Sequence, residues 1–136
     1  MVNSININYI RNLCDKDGFN TQLTENNNLI LVVNANENRN YDVVILYSVS
    51  NNNILTAECL TDVKAEQDNI AQTLLKINTY NENSTYLTAY MSEDGRVIVS
   101  RSEHIGTGVS EEFIIDFIKS VIVTGISFFK DNFNDF

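Results

Sequence analysis

Proline is absent from this 136-residue chain, where average usage would supply about seven. Turns must therefore come from other residues. Asparagine takes that place, in runs such as Asn26-Asn27-Asn28 and Asn51-Asn52-Asn53. Asn tolerates left-handed backbone and bonds its own main chain, so these runs read as loop tips. They are short and lie between well-patterned strands, which sets them apart from a Gln/Asn-rich aggregating segment. Basic residues are scarce as well. Nine Lys and Arg stand against eighteen Asp and Glu, giving a formal net charge of −9. There is no Lys/Arg cluster, so nucleic acid and anionic membrane surfaces are poor partners. Such acidity would attract a basic segment on a partner, and it is also the ordinary route to solubility.

Residues that carry chemistry are equally few. His104 is the only histidine. It lies near Arg101 and Glu103 at a strand end, and no patterned Ser or Cys accompanies it as a nucleophile. It reads as a surface histidine. One His and two separated cysteines, Cys14 and Cys59, do not make a metal-ligand set. Asp15-Lys16-Asp17-Gly18 opens like a calcium loop but lacks the remaining ligands and the terminal Glu. In Ile105-Gly106-Thr107-Gly108 the glycines lack phosphate-loop spacing, and no Lys follows them. The expectation is a protein without catalytic residues, cofactor or metal.

Cys14 and Cys59 fall at positions patterned as buried. Sequence leaves a disulfide between them open. Met1-Val2-Asn3-Ser4 has neither a charged n-region nor an apolar h-region, so the expectation is buried thiols in a reducing cytoplasm. Without a secretion signal the glycosylation triplet Asn83-Ser84-Thr85 carries no weight. The longest apolar clusters are broken by Lys119, Ser120, Thr124 and Lys130, so no membrane span is expected.

Hydrophobic residues make up 43% of the chain. That fits one globular domain over residues 1–136, long enough to bury a core without staples. A first helix is expected over Ser4 to Asp17, capped by Ser4 or Asn3, with Ile7, Ile10, Leu13 and Cys14 as its stripe. Gly18 should end it in the left-handed conformation, with Phe19 folding back. Strands follow at Phe19 to Leu23, Leu29 to Val33, Tyr41 to Val49 and Ile54 to Leu60. Their short polar links imply an antiparallel meander. The polar link Asn34 to Asn40 is expected to be mobile. A central helix capped by Thr61 or Asp62 is signalled by Val63, Gln67, Ile70, Leu74 and Ile77. Strands Ser84–Met91 and Arg96–Arg101 then flank Ser92-Glu93-Asp94-Gly95, where Asp94-Gly95 suits a type I′ turn. Ser110 opens the last helix, with Glu111 and Glu112 at its positive end and Val109 and Ile114 spaced as a hydrophobic staple. That helix is apolar around most of its circumference, so more than one neighbour must cover it. The tail from Lys130 to Phe136 is acidic, with Phe133 and Phe136 reading as exposed. Leu31, Val44, Ile45 and Leu87 are expected in the core.

The run Leu74-Leu75-Lys76-Ile77-Asn78-Thr79-Tyr80-Asn81, the strand after it, Glu93-Asp94-Gly95-Arg96-Val97 and the helix begun by Ser110 together resemble the YbjN family. Asp17-Gly18-Phe19 and Asn28-Leu29-Ile30-Leu31-Val32-Val33 fit its opening. The chain departs from the family by its wealth of Asn and by lacking prolines before the central helix. The resemblance implies a regulator of sensory transduction with a fold like the type III secretion chaperones, small, acidic, often dimeric and without known catalysis. In those chaperones the central helix helps form the dimer.

The fold class expected is α+β, an antiparallel sheet with helices packed on it in the order α-β-β-β-β-α-β-β-α. The function expected is a non-enzymatic interaction or chaperone-like module, homodimeric, that binds a partner polypeptide through apolar surface. Val63, Ile70, Leu74 and Ile77 are the candidate dimer face. The alternative is a small-molecule or peptide sensor with a pocket under the C-terminal helix.

Overall fold

The computed structural model describes residues 5–106 and 108–133. The expected caps Asn3 and Ser4, loop residue Thr107 and tail residue Phe136 lie outside them. The elements are α1 (Ile7–Lys16), β1 (Thr21–Leu23), β2 (Leu29–Val33), β3 (Val43–Val49), β4 (Ile54–Lys64), α2 (Ile70–Asn83), β5 (Thr88–Met91), β6 (Arg96–His104) and α3 (Glu111–Asn132). The expected order holds. All six strands form one antiparallel sheet, in the order β1-β2-β3-β4-β6-β5. The first four strands are a meander. The chain then crosses through α2 to the far edge, so β5 is outermost and β6 pairs with β4.

Strands β2, β3, β4 and β6 bury alternate residues, as a sheet packed on one face requires. Leu29 and Leu31, Val43, Ile45 and Tyr47, Leu55, Ala57 and Cys59, and Val97 and Val99 are all fully buried. They meet α3 and α1. The Tyr47 hydroxyl donates to the Ile118 carbonyl of α3 at 3.3 Å, so a buried phenol leaves no polar group unpaired. A β-carbon at Gly125 of α3 would lie 2.5 Å from the Cys59 sulfur, so glycine is what lets the helix approach β4 this closely. The expectation that α3 needs several neighbours is met by the sheet on one side, α1 beside it and Tyr80 of α2 against Phe128 at 4.6 Å between ring centroids. Phe133, expected to be exposed, is half-buried against Phe128 and Phe129. Val44 differs from the expectation in the same way as any strand neighbour must. Ile45 points to the core, so Val44 points to the other face and is half-buried.

The end of α1 and the start of α3 fall where the sequence placed them, while α1 starts at Ile7 and not at Ser4. Asn6 caps α1, its side chain accepting the Tyr9 N–H at 3.0 Å. Gly18, at φ +82, ends α1. The Phe19 N–H reaches Cys14 O and the Gly18 N–H reaches Asp15 O, both at 3.1 Å, which is the paired Schellman pattern. Ser110 caps α3 through the Phe113 N–H at 3.1 Å.

Three hairpins share one turn. In Thr24–Asn28, Ser50–Ile54 and Ser92–Arg96 the first N–H bonds the fifth carbonyl at 2.8–2.9 Å. The fourth residue is left-handed: Asn27 at φ 61, Asn53 at φ 60 and Gly95 at φ 86. In each, the hydroxyl of the first residue accepts the fifth N–H, at 3.1–3.2 Å. Asn therefore does at two turns what Gly does at the third. The type I′ expectation for Asp94-Gly95 does not hold, because only Gly95 has positive φ. The turn is the three-residue kind that ends in a left-handed residue.

Two features shape the region around α2. Strand β4 runs on through Lys64, with a register shift between Leu60 and Lys64. There the Thr61 hydroxyl, itself buried, accepts the Val63 N–H at 3.0 Å. On the outer edge of β5, the Asn81 side chain accepts the Ala89 N–H at 2.9 Å and donates to the Ala89 carbonyl at 3.0 Å.

Candidate interaction surface

The helix expected from Asp62 begins only at Ile70, and this divides the proposed dimer face. Val63 is not on a helix. It continues the inward alternation of β4 after Leu55, Ala57, Cys59 and Thr61, and is 6% exposed. Ile77 is on α2 but turns into the core, 4% exposed. Ile70 and Leu74 stay outside, at 39% and 42%, with Leu75 beside them at 67%. Positions 70 and 74 are one helical turn apart, so the two side chains adjoin. The structure thus brings two of the four residues together on the surface and places the other two inside.

The inner side of α2 is tied down. Thr73 and Ile77 are buried, and Tyr80 packs on Phe128. The Lys76 ammonium donates to the Asn132 carbonyl at the end of α3, at 2.8 Å, and lies 4.9 Å from the centre of the Phe133 ring. The outer side, Ile70-Ala71 and Leu74-Leu75, is exposed. Between Ile70 and Asn83 the ionisable acids and bases are one Lys and one Glu, so little of the chain's negative charge sits there.

A second apolar area lies on the other face of the sheet. The strand residues that point away from the helices include Ile30 and Val32, Val44 and Leu46, Leu60 and Ile98. They form neighbouring pairs across β2, β3, β4 and β6 and are half-buried by one another. The signal was present in the sequence, since Leu29 to Val33 and Tyr41 to Val49 are apolar on both faces, whereas a one-sided sheet shows alternation. Glu58 and Tyr90 lie on the same face, the phenol donating to the carboxylate at 2.7 Å. Burial and that negative neighbour push the Tyr90 hydroxyl up to about 12.

His104 Nδ1 accepts the Gly106 N–H at 3.3 Å at the end of β6. Cys14 and Cys59 are free, buried thiols, and burial pushes both up to about 12. A thiol held in its protonated form is a poor nucleophile. Among the described residues no three His, Cys, Asp or Glu gather as a metal site, and no helix is long and apolar enough to cross a membrane.

A cavity of about 350 Å³ opens between the β2–β3 link and the C-terminal half of α3, with Arg39, Tyr41, Ile126 and Lys130 in its walls. The link makes several hydrogen bonds of its own. Arg39 Nε donates to Tyr41 O at 2.9 Å and Nη2 to Asn34 O at 2.7 Å, while the Ala35 N–H donates to the Asp42 carboxylate at 2.6 Å.

No curated protein matches the chain. Among solved structures, "Crystal structure of YbjN, a putative transcription regulator from E. coli" is similar, with a TM-score of 0.65 and 14% identity over 85% of this chain and 82% of that one. At that identity the likeness speaks to fold alone. A family model, YbjN, described as "Putative bacterial sensory transduction regulator", matches residues 6–131, from the cap of α1 to the last turn of α3. The chain belongs to the YbjN family.

Proposed function

We propose that this protein is a non-enzymatic regulatory module of the cytoplasm that forms a homodimer and binds a partner polypeptide through apolar surface. The observation that carries the reading is the outer stripe of α2. Ile70, Leu74 and Leu75 are exposed on a helix whose other side is already committed to the core. A symmetric pairing would lay this stripe on its own copy. It is apolar and nearly free of charge, so the repulsion between two chains of −9 acts from farther off, where salt screens it. The apolar sheet face around Leu46 and Leu60 then remains for a partner segment, and basic residues flanking that segment would suit the acidic chain. The family description, a regulator of sensory transduction, agrees with a module that works by contact.

Leu74→Asp tests the pairing. The side chain is 42% exposed, so the variant should fold. Light scattering across a dilution series should show a dimer that Leu74→Asp converts to monomer, with an unchanged circular dichroism spectrum. Higher salt should strengthen the native dimer slightly. A monomer mass for the native chain throughout the series, at low and high salt, ends the dimer reading.

A second reading, ligand sensing, is favoured by the cavity beside the C-terminal half of α3, close to where a pocket under that helix was expected. Its volume lies within the range of small-molecule sites.

A further inference from the structure

The cavity has a charge opposite to that of the molecule. The chain carries −9, yet the cavity walls hold two cations, Arg39 and Lys130, and one acid, Glu37. The cations come from separate elements, the β2–β3 link and α3. A lysine in a last helical turn is favoured by the helix dipole. That accounts for Lys130 alone and not for an arginine from the β2–β3 link. Among the described residues, none of these three groups is in an ion pair.

Arg39 is fixed before any ligand arrives. Its Nε and Nη2 are held by the carbonyls of Tyr41, Asn34 and Val33, at 2.9, 2.7 and 3.3 Å. Its guanidinium carbon lies 5.8 Å from the centre of the Tyr41 ring. Nη1 is the nitrogen without a bond among the described residues, so the group offers one donor edge and not a two-pronged grip. Two-point capture of an anion would need a second cation, and Lys130 lines the same cavity. Ile126 and Tyr41 line the same cavity and add apolar surface to it.

We propose that this cavity binds a small organic monoanion, its carboxylate shared between Arg39 Nη1 and the Lys130 ammonium and its apolar body against Ile126 and Tyr41. A preformed donor lowers the ordering cost of binding. A net lining charge of +1, two cations less one acid, matches one carboxylate. The proposal rests on the ligand-sensing reading and names the ligand's chemistry.

Proton–nitrogen correlation spectra of the full chain, titrated with benzoate and hexanoate and with their neutral amides, test it. The acids should move the backbone amides of residues 36–41 and 126–130 saturably, and the amides should bind about tenfold more weakly, a difference of about 1.4 kcal/mol. Lys130 is exposed, so Lys130→Gln should weaken the acids by a similar factor and leave the melting midpoint in place. Equal shifts from acids and amides at these residues would overturn the anion chemistry while leaving a small-molecule cavity standing. Shifts that survive Lys130→Gln unchanged would overturn it too. If neither acids nor amides move these residues, the proposal and the sensing reading fall together.

Discussion

Replacing Gly125 with Ala puts two opposed effects on one atom. An alanine in the middle of a helix is favoured over glycine by about 1 kcal/mol, because less backbone freedom is lost on folding. At Gly125 the new methyl would sit 2.5 Å from the Cys59 sulfur and 3.1 Å from its β-carbon. The first is closer than real packing allows and the second is tight, and Cys59 is fully buried beneath α3, so neither side chain nor helix can yield freely. Overpacking of this kind costs about 1–3 kcal/mol. The clash should win, leaving Gly125→Ala less stable by about 1–2 kcal/mol. In a chain of this size that lowers the melting temperature by about 4 °C per kcal/mol. Urea melts followed by circular dichroism measure the change, and Cys59→Ala supplies the control. Alone it removes a sulfur from the core and should cost about 1 kcal/mol. Combined with Gly125→Ala it makes room for the methyl, so the two losses should fall short of additive by about 1 kcal/mol or more. A stabilised Gly125→Ala, or strict additivity in the double variant, would refute the placement of α3 on Cys59.

Other expectations follow from burial. The Tyr80 hydroxyl is buried without a hydrogen-bond partner among the described residues, so Tyr80→Phe should keep the contact with Phe128 and leave stability unchanged or raise it by about 1 kcal/mol, read in the same melts. Leu87, buried just ahead of β5, should cost about 2–5 kcal/mol when cut to Ala, and a change under ~0.5 kcal/mol would misplace it. Cys14 and Cys59 are raised in the folded chain from 9.0 to about 12, so unfolding releases their protons more readily at high pH. Their contribution is whole below pH 9 and is lost as pH climbs from 9 towards 12, at no more than about 1.4 kcal/mol per pH unit for Cys59, and pH-dependent urea melts would show it.

Local chemistry made the outer frame readable from sequence. Gly18 and Phe19 announced the end of α1, Ser110 the start of α3, and Asn27 and Asn53 two of the turns. The start of α2 was not readable, because Val63 satisfies two periods at once. Its distance to Gln67 and Ile70 is helical, while its distance to Leu55, Ala57 and Cys59 is that of a strand. Pairing decides between them. Lys64 meets Arg96 across the register shift, which carries β4 past Val63 and delays the helix to Ile70. Val63, expected on the dimer face, went inside with that extension of β4. Type I′ was a reasonable reading of Asp94-Gly95, but Ser92 determines the turn, since its hydroxyl holds the Arg96 N–H in a longer loop. Arg39 and Lys130 lie ninety-one positions apart, 130 less 39, and no spacing rule brings such residues to one cavity.

The Asn81 side chain meets Ala89 as the backbone of a seventh strand would, giving one acceptor and one donor to the outermost strand. A sheet edge left bare is a template on which further chains can add, and an Asn-rich chain has ample material for such growth. One amide therefore marks where the sheet stops. Asn81→Leu would leave the core untouched and reopen the edge, so its consequence belongs less to the single molecule than to a concentrated solution of it. There, slow growth of fibres or edge-joined oligomers would appear on storage, in a protein whose melting curve had scarcely moved.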